Sequence, residues 1–249
     1  MVLEENIGSV RLITLNHYSK YNILNEELKI AIKNALIAAE HDDTVKSLVV
    51  YGGANRSFSA GGNYNEIKKM SGEAAERWVD GLVELYRTVL EVNKPTVAAV
   101  DGYAIGIGFQ FALMFDRRVM AADACFVMPE LKQGVCCSLG AAILHFTHGY
   151  TTMQDIIYRC SVMDAGRCLE YRLINQITDR ELLVSAAIGQ ANLLAAYQRA
   201  VFGHTKRAMN KPFIQALEQS RQESKSMQKS VVASQVNKQG AQPSSLKIT

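Results

Sequence analysis

The sequence predicts an α/β fold, with a mainly parallel β/α core followed by a helical C-terminal region. Two patterns predict it. β-branched runs at residues 10–15, 45–51 and 95–100 are each followed by turn residues and then by helix-period sequence, the alternation that builds parallel sheets. From Thr151 onward strand signals become sparse, and residues 153–159, 165–171, 181–196 and 202–232 carry helical patterns. The bulk composition agrees: 249 residues with 48% apolar and 20% charged side chains can bury one large core.

Taken in order, the clearest helices between the strands are residues 26–40 and 74–92, with a helical turn at 64–70. Residues 118–121, 124–128 and 173–177 are shorter strand candidates. The final stretch, 237–249, is polar, contains Gly240 and Pro243, and is expected to fray.

Charge and composition then exclude several classes. The balance of 27 Lys+Arg against 24 Asp+Glu leaves +3, too mild for a nucleic-acid-binding domain. The apolar stretch 102–115 carries Gln110 and is too short to span a bilayer, which needs about 20 apolar residues. Met1-Val2-Leu3-Glu4-Glu5 places acidic residues where a signal peptide carries basic ones, so the expected compartment is the cytoplasm, with no membrane partner. Five cysteines without CxxC spacing suggest reduced, mostly buried thiols. A second reading makes Cys137 a nucleophile, because a thiol near a helix N-terminus can have a lowered pKa. No histidine partner is identifiable beside it.

Three segments carry chemistry. Gly52-Gly53-Ala54-Asn55-Arg56-Ser57-Phe58-Ser59-Ala60-Gly61-Gly62-Asn63 follows the second strand, and glycines there let main-chain N–H groups face a ligand. It lacks the Lys-Ser/Thr ending of a phosphate-binding P-loop. Asp101-Gly102-Tyr103-Ala104-Ile105-Gly106-Ile107-Gly108-Phe109-Gln110 repeats the strand, glycine turn and helix start. Two such loops can supply the pair of donors that a thioester oxyanion needs, one from the N–H of Gly62 and one from that of Ile107, each worth about 3 kcal/mol to the barrier. Glu130, in Met128-Pro129-Glu130-Leu131-Lys132, stands between apolar residues just after a strand, which suits a partly desolvated carboxyl with a raised pKa. Each segment also has a plain structural reading: a tight turn, a close helix–sheet contact and a surface glutamate.

Phe58-Ser59-Ala60-Gly61-Gly62, the run from Lys94-Pro95-Thr96 to Ala104-Ile105-Gly106, and Pro129-Glu130 resemble, in this order and spacing, the crotonase (enoyl-CoA hydratase/isomerase) superfamily. Tyr51-Gly52-Gly53-Ala54, the stretch from Ala104 to Asp116, and Phe126-Val127-Met128-Pro129-Glu130-Leu131-Lys132 are similar to its carbon–carbon bond-forming branch that serves carbapenem biosynthesis.

The resemblance implies a spiral of ββα turns over residues 1–190, a helical C-terminal trimerisation region at 191–236 and a flexible tail at 237–249. It implies a coenzyme A thioester as substrate, with no bound cofactor or metal. The adenine would lie by the loop Ala60, Gly61, Asn63 and Tyr64, with Lys20 and Asn22 also meeting the coenzyme. Hydratases of the family pair two glutamates, and the first of these positions here is Gln110, which cannot exchange a proton at neutral pH. Glu130 is then the single candidate carboxylate, pointing away from hydration toward isomerase, decarboxylase or carbon–carbon bond-forming chemistry.

The bond-forming branch implies decarboxylation of malonyl-CoA to an enolate held by Gly62 and Ile107. That enolate would attack pyrroline-5-carboxylate or its open form, glutamate semialdehyde, before thioester hydrolysis. Glu130 would activate water or the electrophile, Gln110 would orient a carboxyl group, and Trp78 would wall the second substrate's pocket. Gln228, a substrate-binding candidate, stands where the branch has a histidine, so recognition of the amino-acid carboxylate is either weaker or met by Lys225 or Lys229. Asn63 replaces a common Asp and bears on loop capping. Apart from this constellation, Lys206, Arg207 and Lys211 read as a solvated basic face, and His145 with His148 lacks an evident third metal ligand. A noncatalytic coenzyme A- or RNA-binding relative is the alternative of a different class.

Overall fold

The computed structural model describes residues 1–67, 69–70 and 72–240, with side chains up to Lys225. Its main sheet is built around three strands whose side chains are almost all buried: β2 (Val10–Leu15), β3 (Ser47–Tyr51) and β4 (Thr96–Val100). These pair in parallel, as continuous apolar strands covered on both faces do. An antiparallel edge strand, β1 (Val2–Ile7), is joined to β2 through the Gly8-Ser9 turn, with Ile7 opposite Val10. β1 is missing from the sequence reading because five of its six residues are exposed and carry no apolar alternation.

On the other side of β4 the sheet continues in parallel through β6 (Arg117–Ala121) to β9 (Gln176–Thr178). A smaller sheet holds β5 (Tyr103–Ile105) between Ser59 on one side and β7 (Cys125–Val127) on the other, and β7 pairs antiparallel with β8 (Val162–Asp164). β5 and β8 are three residues each, too short to leave a period in the sequence.

Helices fill the turns of this spiral. α1 (Glu26–His41) starts where the Asn25 side chain accepts from the Leu28 N–H at 2.9 Å, an N-cap that satisfies one of the helix's orphan donors. It is followed by α2 (Tyr64–Ile67), α3 (Gly72–Glu91) and α4 (Ile107–Ala112). Then come α5 (Ser138–His148), α6 (Tyr150–Arg159) and α7 (Ala165–Glu170). After a short 3-10 turn, α8 (Leu183–Ala195) packs across β3, β4 and β6, so the division at residue 190 falls inside a helix of the core.

α9 (Arg199–Gly240) then runs back over α3 and α5. It includes residues 237–240 of the segment expected to fray, while 241–249 lie outside the described residues. Among the described residues no helix is long and apolar enough to cross a membrane.

Two aromatic stacks weld α4 into the core. Phe58 stacks on Phe111, whose edge meets Phe115, and Phe109 stacks on Phe126 at 4.3 Å between centroids. This fixes the start of α4 against the loop that carries Phe58.

α9 is anchored by an ion pair between buried Lys206 and partly buried Asp116. Lys206 is 5% exposed, and its Nζ donates to Asp116 Oδ2 at 2.8 Å, with Lys94 O and Thr96 Oγ1 at 3.3 Å. The expected solvated basic face is therefore corrected at Lys206, which is an interior tether from α9 to β4 and the chain entering β6.

Candidate active site

The two glycine loops lie side by side because the first runs along β5 as an extra strand. Ser59 N–H donates to Tyr103 O at 3.1 Å and Ile105 N–H to Ser59 O at 3.0 Å. Glycine is required at the closest approach: a Cβ on Gly108 would sit 2.2 Å from Ser59 O. Gly61 has φ +81°, in the left-handed region, and its Cβ would meet Ile105 O at 2.5 Å. The Cβ positions of Gly61 and Gly62 are each 3.4 Å from the Ile107 side chain, so the two proposed donor residues are neighbours. The N–H groups of Gly62 and Ile107 are outside the hydrogen bonds that tie these loops together among the described residues.

The first loop is braced from beneath. Ser59 Oγ donates to Asn22 O at 2.8 Å and accepts from the Gly61 N–H at 3.0 Å. Asn22 is fully buried with φ +47°, a conformation its short polar side chain tolerates, and its Nδ2 donates to Gly52 O and Ser57 O at 2.7 Å. This corrects the expectation that Asn22 meets coenzyme A, since its amide is consumed inside the protein. Asn22→Leu orphans two buried carbonyls and is expected to lower the unfolding free energy by about 3 kcal/mol, read as a fall in the urea midpoint.

Asn63 starts α2 by accepting from the Asn65 N–H at 3.2 Å and bonding Glu66 Oε1 at 2.7 Å. Lys20 is exposed, with its ammonium 5.4 Å from the Tyr21 ring centroid, and Tyr21 O accepts from the Ala60 N–H. Trp78 on α3 comes within 3.4 Å of the Gly62 Cβ position. It walls a cavity of about 590 Å³ together with Asn25, Glu26, Asn63, Ile67 and Arg77. Ala60, Gly61, Gly62, Asn63, Tyr64 and Trp78 thus gather on one side of the molecule. A depression of about 330 Å³ around Asp155, Arg167 and Tyr171 shares no residue with the loops.

Glu130 lies in the turn after β7, which is closed by Val135 N–H to Glu130 O at 2.9 Å. Its Oε1 is 3.0 Å from the Gly106 Cβ position and accepts from Gln110 Nε2 at 3.1 Å. Its Oε2 is buried with no hydrogen-bond partner among the described residues. Burial pushes the carboxyl up to about 7, and the turn's main chain and the Gln110 amide hold back only part of that rise.

Gln110 is 3% exposed, and its Oε1 accepts from the hydroxyl of Tyr86, at 3.1 Å. Tyr86 lies fully buried on α3. Sequence reasoning misses it, because a tyrosine on the apolar face of an amphipathic helix carries no signal beyond core packing.

Other side chains named in the sequence have these surroundings. Cys137, the N-cap residue of α5, is buried, and burial, followed by the Glu130 and Cys160 charges, holds its thiol well above the usual range. The nucleophile reading of Cys137 is therefore corrected, because only a thiolate attacks. Lys225 is taken by Asp80 of α3 at 2.6 Å, so it is not a free contact for a substrate carboxylate. Gln228 and Lys229 fall outside the residues whose side chains are described. His148 bonds Thr147 and Arg172 O, and among the described residues no His/Cys/Asp/Glu group could hold a metal.

A spiral core whose glycine loops abut beside a desolvated carboxyl, closed by a C-terminal helix, is the architecture of a crotonase-fold enzyme. The chain belongs to the enoyl-CoA hydratase/isomerase family, whose model matches residues 5–244. It is 58% identical over 230 residues to carboxymethylproline synthase of Pectobacterium carotovorum subsp. carotovorum, covering 92% of each chain. It is 28% identical to a probable enoyl-CoA hydratase of Rhizobium meliloti (strain 1021), covering 96% of this chain and 92% of that one. Among solved structures it resembles ThnE from S. clavuligerus, with TM-score 0.78 and 29% identity over 90% of this chain and 99% of that one. Enoyl-CoA hydratase from Bacillus halodurans shares the fold, with TM-score 0.83 and 23% identity over 92% and 95% of the two chains.

Proposed function

We propose that the protein is a carboxymethylproline synthase acting in carbapenem biosynthesis. The single observation that carries this reading is the pairing of Gln110 with Glu130 at 3.1 Å, which leaves one proton-exchanging group where a hydratase needs two. The 58% identity to a synthase of that name supports the same choice.

Malonyl-CoA binds with its thioester oxygen between the N–H groups of Gly62 and Ile107. Its carboxylate leaves as CO2, and the electron pair of the broken bond becomes an acetyl-CoA enolate, whose oxygen those two donors stabilise. The enolate carbon attacks the imine carbon of pyrroline-5-carboxylate, which stands in equilibrium with glutamate semialdehyde, and the ring nitrogen takes up a proton. Water then attacks the thioester, releasing coenzyme A and a carboxymethylproline. Glu130 accepts a proton from that water through Oε2, the oxygen that makes no hydrogen bond among the described residues. Trp78 walls the second substrate's pocket beside Gly62, and Ala60, Gly61, Asn63, Tyr64 and Lys20 flank the coenzyme. In this reading the enzyme works as a cytoplasmic homotrimer and uses coenzyme A as a substrate, with no resident cofactor.

The test is incubation with malonyl-CoA, with and without pyrroline-5-carboxylate, followed by mass spectrometry. The expected result is a carboxymethylproline and free coenzyme A only when both substrates are present. Acetyl-CoA as the sole product in both tubes means a decarboxylase and overturns the synthase.

A further inference from the structure

The Gln110 amide has two unlike ends, and which end faces Glu130 decides what that carboxyl is offered. With Nε2 toward Glu130, the amide donates to a carboxylate. Turned over, it presents a carbonyl, which pairs only with the protonated acid. At the Glu130 end, the other hydrogen-bond contact of Nε2 among the described residues is the Met128 sulfur at 3.8 Å, a weak acceptor that does not make the choice.

The opposite end is different. The Tyr86 hydroxyl lies 3.1 Å from Gln110 Oε1 and 3.2 Å from Ile107 O. Burial holds this phenol well above its usual range, so it stays protonated. Its single proton has two carbonyl acceptors in reach, and of these the shorter contact, to Gln110 Oε1, is the one that holds the amide's oxygen end at Tyr86.

We propose that Tyr86 is a positioning residue of the active site: its hydroxyl fixes the Gln110 amide with the N–H toward Glu130. The same bond polarises the amide, so the N–H it presents is a stronger donor to the carboxylate. Tyr86 acts through Gln110 and makes no contact with substrate. Cys137, the N-cap residue of α5, is a further titratable group near Glu130 among the described residues, and burial keeps its thiol neutral. Arg221 and Lys225 of α9, which packs on α3 and α5, are engaged by Asp80.

This inference rests on the reading of Glu130 as the reacting carboxyl, so its test needs a readout that does not depend on turnover. Infrared difference titration, with Glu130→Gln as the reference, follows protonation of the Glu130 carboxyl directly. Tyr86→Phe keeps the ring and removes only the hydroxyl. It is expected to move the Glu130 midpoint upward by about one-half to one pH unit, because the ionised form loses its polarised donor. The acid limb of product formation should move by the same amount.

A midpoint that stays in place or falls in a folded Tyr86→Phe protein overturns the proposal, even if the parent enzyme makes a carboxymethylproline. Should no product form with the parent, the infrared titration still decides on Tyr86. Gln110→Met supplies the second check: adding Tyr86→Phe to it is expected to cause no further movement. An equal movement in that background means that Tyr86 reaches Glu130 without the amide, which also overturns the proposal.

Discussion

Glu130→Gln is expected to slow carboxymethylproline release by about 10³-fold while malonyl-CoA still binds, since general acid–base groups contribute on the order of 10²–10⁴. The substitution keeps the shape and retains a partner for Gln110, yet no group remains at that site to take a proton. The pH dependence has a definite sign. Burial raises the carboxyl to about 7, so the ionised form that activates water is present above that value and lost as pH falls through it. Hydrolysis of carboxymethylprolyl-CoA should therefore show an acid limb near neutrality, where an ordinary exposed glutamate would place it near pH 4. Single-turnover hydrolysis followed by coenzyme A release measures both effects. A Glu130→Gln protein with parental turnover would remove Glu130 from the mechanism.

The second large effect is on stability. Lys206→Ala is expected to lower the unfolding free energy by about 2 kcal/mol, because it leaves the partly buried Asp116 without its counter-charge. Asp116 Oδ2 would keep only the Thr96 N–H and hydroxyl as donors. Urea titration by circular dichroism measures the loss. Asp116→Asn combined with Lys206→Ala should cost less than the sum of the two single changes, the non-additivity of groups that share one contact. Additive costs would mean that the pair is not coupled and that α9 is held by packing alone.

These two cases show how unevenly the structure can be read from the chain. β2, β3 and β4 are legible because most of their side chains are buried, which selects short runs rich in apolar and β-branched residues. β1 is not legible, since an exposed acidic edge strand is specified by its pairing with β2 and not by its own residues. The glycine loops are legible as loops, because glycine is needed where a Cβ on residue 108 would come within 2.2 Å of Ser59 O. Their contact with each other depends on Ser59 running alongside β5, a pairing between residues about forty-five positions apart.

Similar limits hold within the site. Asn22 looks like a ligand contact in the sequence and proves to be a brace, and Lys206 looks like surface and proves to be interior. Polar residue types are shared by both roles, and only burial and partners separate them.

By itself the sequence determined a mainly parallel β/α core, the helical C-terminal region and the two glycine turns, because these are written in residue types and periods, while the spiral and the single carboxyl at Glu130 are what the resemblance to the family implied. The tertiary structure alone decided that Tyr86, Gln110 and Glu130 form one chain of contacts and that Cys137 is a neutral thiol. Protonation and hydrogen-bond direction depend on how far water is excluded and on which partner stands within about 3 Å, and that is settled only when α3, α4, α5 and the turn after β7 close around the same point.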